Sequence, residues 1–187
     1  MTVFVDTNIL LDLLCERKPF VQNARMLFAY GYAGRISLVL SSLSLINAVY
    51  ISKKYGYVDA RERLADITEF VRVVDLYEDV AREALACDWK DYEDAVQYMS
   101  AIKVKADCIV TRNKKDFRKS IIPVYTIDEF MSLMRGQGTG LCTRLLMVDY
   151  SHIIYFQRCS SSYASSSHIV YQKRSSSSYA SSSHIVY

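Results

Sequence analysis

A chain of 187 residues with 51% hydrophobic content can bury one full core, which excludes wholesale disorder and leaves too little chain for two sizeable domains. The formal net charge is +3, yet residues 1–135 hold 19 of the 23 Lys+Arg and 19 of the 20 Asp+Glu, so the basic excess belongs to the C-terminal end. Attraction to a polyanion would have to come from local clusters in a neutral domain, not from overall basicity.

Residues 1–135 alternate short apolar runs with helical periodicity. Thr2 to Val5 is a β-rich run that meets Asp6 at once, and no basic segment precedes it, so no secretory leader is expected. A helical stretch follows, broken by Pro19, then a second helix to about Tyr32 and a glycine-bounded turn into the apolar strand Ile36 to Leu40. The uncharged stretch from Ile36 to Ser52 holds five serines and Asn47, which suits a strand and a buried helix better than a membrane span of roughly 20 apolar residues. Leu43 to Lys54, Asp59 to Phe70 and Glu78 to Cys87 read as helices, with Val71 to Val74 a strand between them. Asp91 to Val104 is a helix with Ala95, Met99 and Ile102 on one face. Cys108 to Val110 and Val124 with Tyr125 are short strands, and Thr126 to Glu129 is a capping-box start to a last helix. Strands separated by helices imply a parallel sheet covered on both faces.

Beyond Gly136 the pattern changes. Ser160 to Tyr171 recurs without change as Ser176 to Tyr187, and Ser151 to Tyr155 is a weaker copy at the same spacing. Identity that strict points to duplicated DNA, so residues 136–187 are expected to be a serine-rich tail, disordered or a read-through extension, with a small β-repeat or a serine-rich recognition tail as the functional alternative. The five cysteines show no paired short spacing, which speaks against a zinc knuckle or redox pair and favours a reducing cytoplasm.

All three histidines, His152, His168 and His184, lie in that tail, which removes His-based catalysis and His-metal sites from residues 1–135. Carboxylates remain. Asp6 ends the first strand, Asp116 follows the strand at Cys108 to Val110 by one turn, and Asp94 lies in the first turn of its helix, where the dipole favours an anion. Three acids converging without basic partners repel one another unless a hard divalent cation neutralises them. The structural alternatives are plain: Asp6 as a helix cap, Asp94 as the partner of an Asp91 cap, Asp116 as a surface ion pair. Asp91, Glu93, Asp128 and Glu129 read as helix-start acids. Around Asp116, Arg112, Lys114, Lys115, Arg118 and Lys119 form either a solvated charge run or a hold on a phosphate backbone. Tyr50, Tyr55 and Tyr57 could stack on bases, but in so tyrosine-rich a chain packing is the expected role.

These residues together resemble the PIN-domain family, most closely small bacterial PIN proteins of the VapC-like toxin type. Val3-Phe-Val-Asp6-Thr-Asn-Ile-Leu-Leu-Asp12 resembles the family's first strand and first acid, with Thr7 and Asn8 at supporting positions. Asp91-Tyr-Glu-Asp94-Ala resembles the helix start that delivers a further acid. Asp107-Cys-Ile-Val-Thr-Arg-Asn113-Lys-Lys-Asp116-Phe resembles the fourth strand and its loop, with Asn113 and Asp116 at site positions. Where many PIN domains carry a glutamate on the helix after the second strand, Asn47 stands here. The resemblance implies a three-layer α/β/α fold with about five parallel strands, and a cytoplasmic ribonuclease using Mg²⁺ or Mn²⁺ held by Asp6, Asp94 and Asp116. It further implies homodimers and an antitoxin whose tail covers the acidic site. The alternative is an inactive PIN module that binds RNA or a protein. A haloacid-dehalogenase-like phosphatase would need an Asp where Asn8 stands, and a receiver domain would need an acidic pair that this N-terminus lacks.

Overall fold

The computed structural model describes residues 1–136, so the expected serine-rich tail lies outside the described residues. In chain order the elements are β1 (Thr2–Val5), α1 (Thr7–Leu14), α2 (Val21–Tyr32), β2 (Ser37–Ser41), α3 (Ser42–Lys54) and α4 (Ala60–Thr68). There follow β3 (Arg72–Val74), α5 (Glu78–Ala86), α6 (Tyr92–Lys103), β4 (Cys108–Val110), β5 (Val124–Tyr125) and α7 (Ile127–Gly136). All four strand pairings are parallel, in the order β3-β2-β1-β4-β5. This is the α/β/α sheet of five strands that the alternating pattern and the PIN resemblance imply.

Alternation along each strand decides which layer each side chain joins. Val3, Val5, Leu38, Leu40, Cys108 and Val110 face a core completed by helical residues such as Ile9, Leu27 and Phe130. Phe4, Val39, Val74 and Ile109 face the opposite layer, where Tyr98, Ala101 and Phe117 cover them. Each fully buried large apolar side chain contributes about 1.5–3 kcal/mol, so a one-residue slip in β1 would forfeit both layers at once. Close seating of α2 on β2 requires Gly31: a Cβ there would stand 2.4 Å from Leu38 Cδ1 and 2.7 Å from its Cγ.

Element ends carry the corrections. The strand expected at Ile36 to Leu40 runs one residue later, because the ladder opens at Ser37, whose N–H donates to Met1 O at 2.9 Å. α6 is buried on more than the single face expected: Ala95 and Val96 pack toward α5 while Tyr98 and Ala101 pack on the sheet. Met99 and Ile102 end up half-buried at the seam. The capping box at α7 is present in both directions, with Glu129 N–H donating to Thr126 Oγ1 (3.2 Å) and Thr126 N–H to Glu129 Oε2 (2.9 Å). Among the described residues no helix is long and apolar enough to cross a membrane.

The strand order reverses direction between β1 and β4. Chains leaving neighbouring strands there turn to opposite faces, which opens a crevice at the carboxyl ends of the sheet.

Candidate active site

Asp6 sits at that crevice, one residue past β1, with its N–H donating to Val110 O at 3.0 Å so that β1 and β4 hold it jointly. Its carboxylate is buried. Oδ2 accepts from Thr111 Oγ1 and from Asn8 Nδ2, each at 2.5 Å. Burial raises the Asp6 pKa above 3.8; bonds from Thr111, Gln97 and the Asn8 backbone oppose the rise, and the charge of Glu93 adds to it. Asp6 stands in the cap position of α1, where its side chain makes no cap bond of full hydrogen-bond geometry and the nearby Asn8 backbone N–H only tempers its pKa.

Asp94 reaches the same place from the first turn of α6. Capping belongs to Asp91, whose Oδ1 accepts from Glu93 N–H (2.8 Å) and Asp94 N–H (3.3 Å). Asp94 is pushed up to about 7, by burial first and then by the negative charges of Asp6, Asp91, Asp116 and Glu93. Asp116 is exposed in the loop after β4 and accepts a hydrogen bond from Asn113 Nδ2, while Asn113 N–H donates to Thr111 Oγ1 at 3.0 Å. The three acids singled out from sequence therefore act on one another electrostatically.

Thr7 and Asn8 connect them to the scaffold. Thr7 Oγ1 can donate to Ser44 Oγ (3.0 Å) or Glu93 Oε1 (3.1 Å), and its N–H donates to Gln97 Oε1 (3.3 Å). Asn8 Oδ1 accepts from Arg112 N–H at 3.0 Å. Ser44, buried in the first turn of α3, is itself fixed by Ser41 at 2.9 Å. Asn47 lies one turn further along α3, half-buried, and its side chain makes no hydrogen bond to a described residue. Four participants were not singled out as site residues: Ser44, Thr111, Gln97, and Glu93, which was read only as a helix-start acid. The available signals were the i,i+4 spacing of Glu93 and Gln97 and the place of Thr111 just past β4, which mirrors that of Asp6 past β1.

The cations near Asp116 are drawn elsewhere. Arg112 Nη1 pairs with Asp12 at 2.8 Å, Lys114 with Glu129 at 2.8 Å and Lys119 with Asp88 at 2.9 Å. Arg118 Nε donates to Lys115 O at 3.2 Å. Asp6, Asp91, Glu93, Asp94 and Asp116 make no ion pair with any described residue. The acidic rim is thus left unpaired although five cations lie near it.

A family pattern for the PIN domain matches residues 2–115. The chain belongs to the PIN-domain family. Among PIN-domain relatives, "Ribonuclease VapC1" of Aquifex aeolicus (strain VF5) is 32% identical over 140 residues, covering 68% of this chain and 92% of that protein. A toxin-antitoxin complex from Klebsiella pneumoniae superposes with a TM-score of 0.51 at 26% identity, over 67% of this chain and 97% of the solved one. VapBC2 from Rickettsia felis, solved with a DNA fragment from its promoter, gives a TM-score of 0.52 at 16% identity, over 67% and 98% of the two chains, and shows the shared PIN fold.

Among the described residues no three His, Cys, Asp or Glu side chains form a ready-made metal cage. The donor chemistry still fits a hard divalent cation: Asp6, Asp94 and Asp116 offer oxygen only, and neighbouring negative charges add to burial in raising the pKa of Asp94.

Proposed function

We propose that this PIN domain is a divalent-metal-dependent endoribonuclease, the toxin of a toxin–antitoxin pair. The observation that carries the reading is the unpaired acidic rim at the point where the strand order reverses. The 32% identity to a protein named as a ribonuclease supports the substrate class. The likeness to a toxin-antitoxin complex at 26% identity supports an antitoxin partner.

In this reading Asp6, Asp94 and Asp116 hold Mg²⁺ or Mn²⁺, directly or through water. When bound, such a cation supplies Lewis acidity toward a phosphate oxygen and lowers the pKa of a coordinated water. The chain's own groups do the positioning. Thr111 and Asn8 donate to Asp6 Oδ2 and hold its carboxylate in place; Asn113 steadies Asp116; Thr7 ties α1 to α3 and α6. In the metal-free protein Asp94 is raised to about 7, so a cation bound there would displace its proton. Asn47 supplies an uncharged amide to a water or phosphate oxygen where many relatives supply a carboxylate. The cation cluster Arg112, Lys114, Lys115, Arg118 and Lys119 lies along the path of the RNA backbone, with Lys115 and Arg118 the two that have no ion-pair partner among the described residues. Residues 1–135 carry the activity and the repeat tail none; the protein works in the cytoplasm as a homodimer.

Asn47 favours one second reading, an inactive module that binds RNA or a protein. Purified full-length chain incubated with total RNA separates the two. The nuclease cleaves with Mn²⁺ and stops with EDTA, whereas the inactive module binds RNA, leaves it intact and takes up Mn²⁺ weakly.

A further inference from the structure

We propose that the cleft between the C-terminal ends of α1 and α3 binds one nucleotide of the RNA beside the cleavage site, an assignment that rests on the ribonuclease reading. The cleft measures about 490 Å³ and is lined by Cys15, Arg17, Tyr55, Tyr57 and Arg112. That is within the roughly 300–1,000 Å³ typical of small-ligand sites.

Its charge is positive by one unit, since Arg112 (2.8 Å) and Arg17 (3.8 Å) share the single carboxylate of Asp12. Asp12 is fully buried, and its Oδ2 has no hydrogen-bond partner. A buried ion pair stabilises a fold no better than apolar side chains of the same volume, and an unsatisfied oxygen adds a cost. The arrangement therefore gains its value from what it does to the arginines, which is to hold two guanidiniums at the mouth of one cleft.

Aromatic groups complete the wall. Tyr55 is 64% exposed, and the Arg17 guanidinium stands 5.8 Å from its ring centroid. Tyr57 is fixed by donating its hydroxyl to Cys15 O at 2.7 Å. An exposed ring beside a guanidinium offers a face to a base, while the arginines offer forked donors to a phosphate. Contact with the acidic rim is short: Arg112 N–H bonds Asn8 Oδ1, and Asn8 Nδ2 bonds Asp6 Oδ2. A strand whose scissile phosphate lies at Asp6 passes this cleft with a neighbouring nucleotide.

The test uses full-length chain and a short fluorescein-labelled single-stranded RNA in EDTA, with anisotropy as the readout, and KM for the same RNA in Mn²⁺ as a second measurement. Tyr55→Ala is expected to weaken binding roughly ten-fold, with Tyr55→Phe close to wild type because the ring is kept. Arg17→Gln is expected to weaken binding and to reduce the slope of log Kd against log salt by about one. Tyr55 is exposed, so its variants are expected to melt with wild type. Wild type that cleaves RNA while these variants keep its Kd, KM and salt slope would overturn the cleft and leave the nuclease standing. Polyglutamate binding as tightly as RNA would also overturn it, in favour of an acidic peptide. A wild type that neither binds nor cleaves RNA would remove the underlying reading as well.

Discussion

Two buried aspartates belong to helix α1, one at its cap and one within it, and they are treated in opposite ways. Asp12, at the helix's far end, receives Arg112 and Arg17; Asp6, at its start, receives a threonine hydroxyl and an asparagine amide, with Glu93 and Asp94 as acidic neighbours. Burial raises both pKa values. Cations relieve only Asp12. A charge compensated within the fold fixes the cations that compensate it, whereas one left uncompensated is open to a ligand from outside, and this chain sets the two on one helix, Asp6 at the cap and Asp12 within α1.

The sharpest contrast comes from neutralising each acid in turn. Asp6→Asn is expected to lower RNA cleavage by more than about 100-fold, beyond the 10–100-fold typical of groups that only orient metal ligands, while metal-free thermal stability holds or rises. Breaking the other site acts on the fold as well. Arg112→Ala should cost about 2 kcal/mol in urea unfolding, less than the full 3–5 kcal/mol of a broken buried pair, because the Arg112 side chain is 37% exposed and Arg17 remains. Equal stability losses in both variants would erase the distinction.

A smaller effect follows from pH. Below about pH 4 the Asp94 carboxyl is protonated folded or unfolded and carries no penalty. Between its ordinary 3.8 and about 7 the folded protein keeps a proton that the unfolded chain has released, so stability falls as pH rises through that window. Partial exposure of Asp94 limits the loss to about 1–2 kcal/mol. Metal-free melts between pH 4 and 8 should show this decline, Asp94→Asn should flatten it, and added Mn²⁺ should reverse it at neutral pH. The smallest expected effect is that of the tail: a chain ending at Gly136 should match full-length protein in both melting and cleavage.

Much of this was legible in the sequence, and the exceptions have physical causes. Strand positions were readable to within a residue because β1, β2 and β4 are buried on both faces and so appear as uninterrupted apolar runs bounded by acids, serines or glycines. Asp6, Asp94 and Asp116 were readable because each follows a strand or opens a helix, where chain position alone fixes the rim. Glu93, Gln97 and Ser44 were not, since their meeting with Thr7 spans 37 to 90 residues and depends on how α3 and α6 are rotated against α1. The Asp12 pair escaped for the same reason. Asp12 stands inside the apolar run of α1, but nothing local named Arg112, 100 residues away, as its partner. The cation cluster was legible as a cluster only, and its division among Asp12, Asp88 and Glu129 required the fold.

The most direct measurement is Mn²⁺ binding and RNA cleavage by wild type and Asp94→Asn side by side, each repeated in EDTA. The acidic-rim account predicts that wild type binds Mn²⁺ and cleaves, and that cleavage disappears with EDTA or with the substitution, which also weakens Mn²⁺ binding. Cleavage that survives both changes would contradict it.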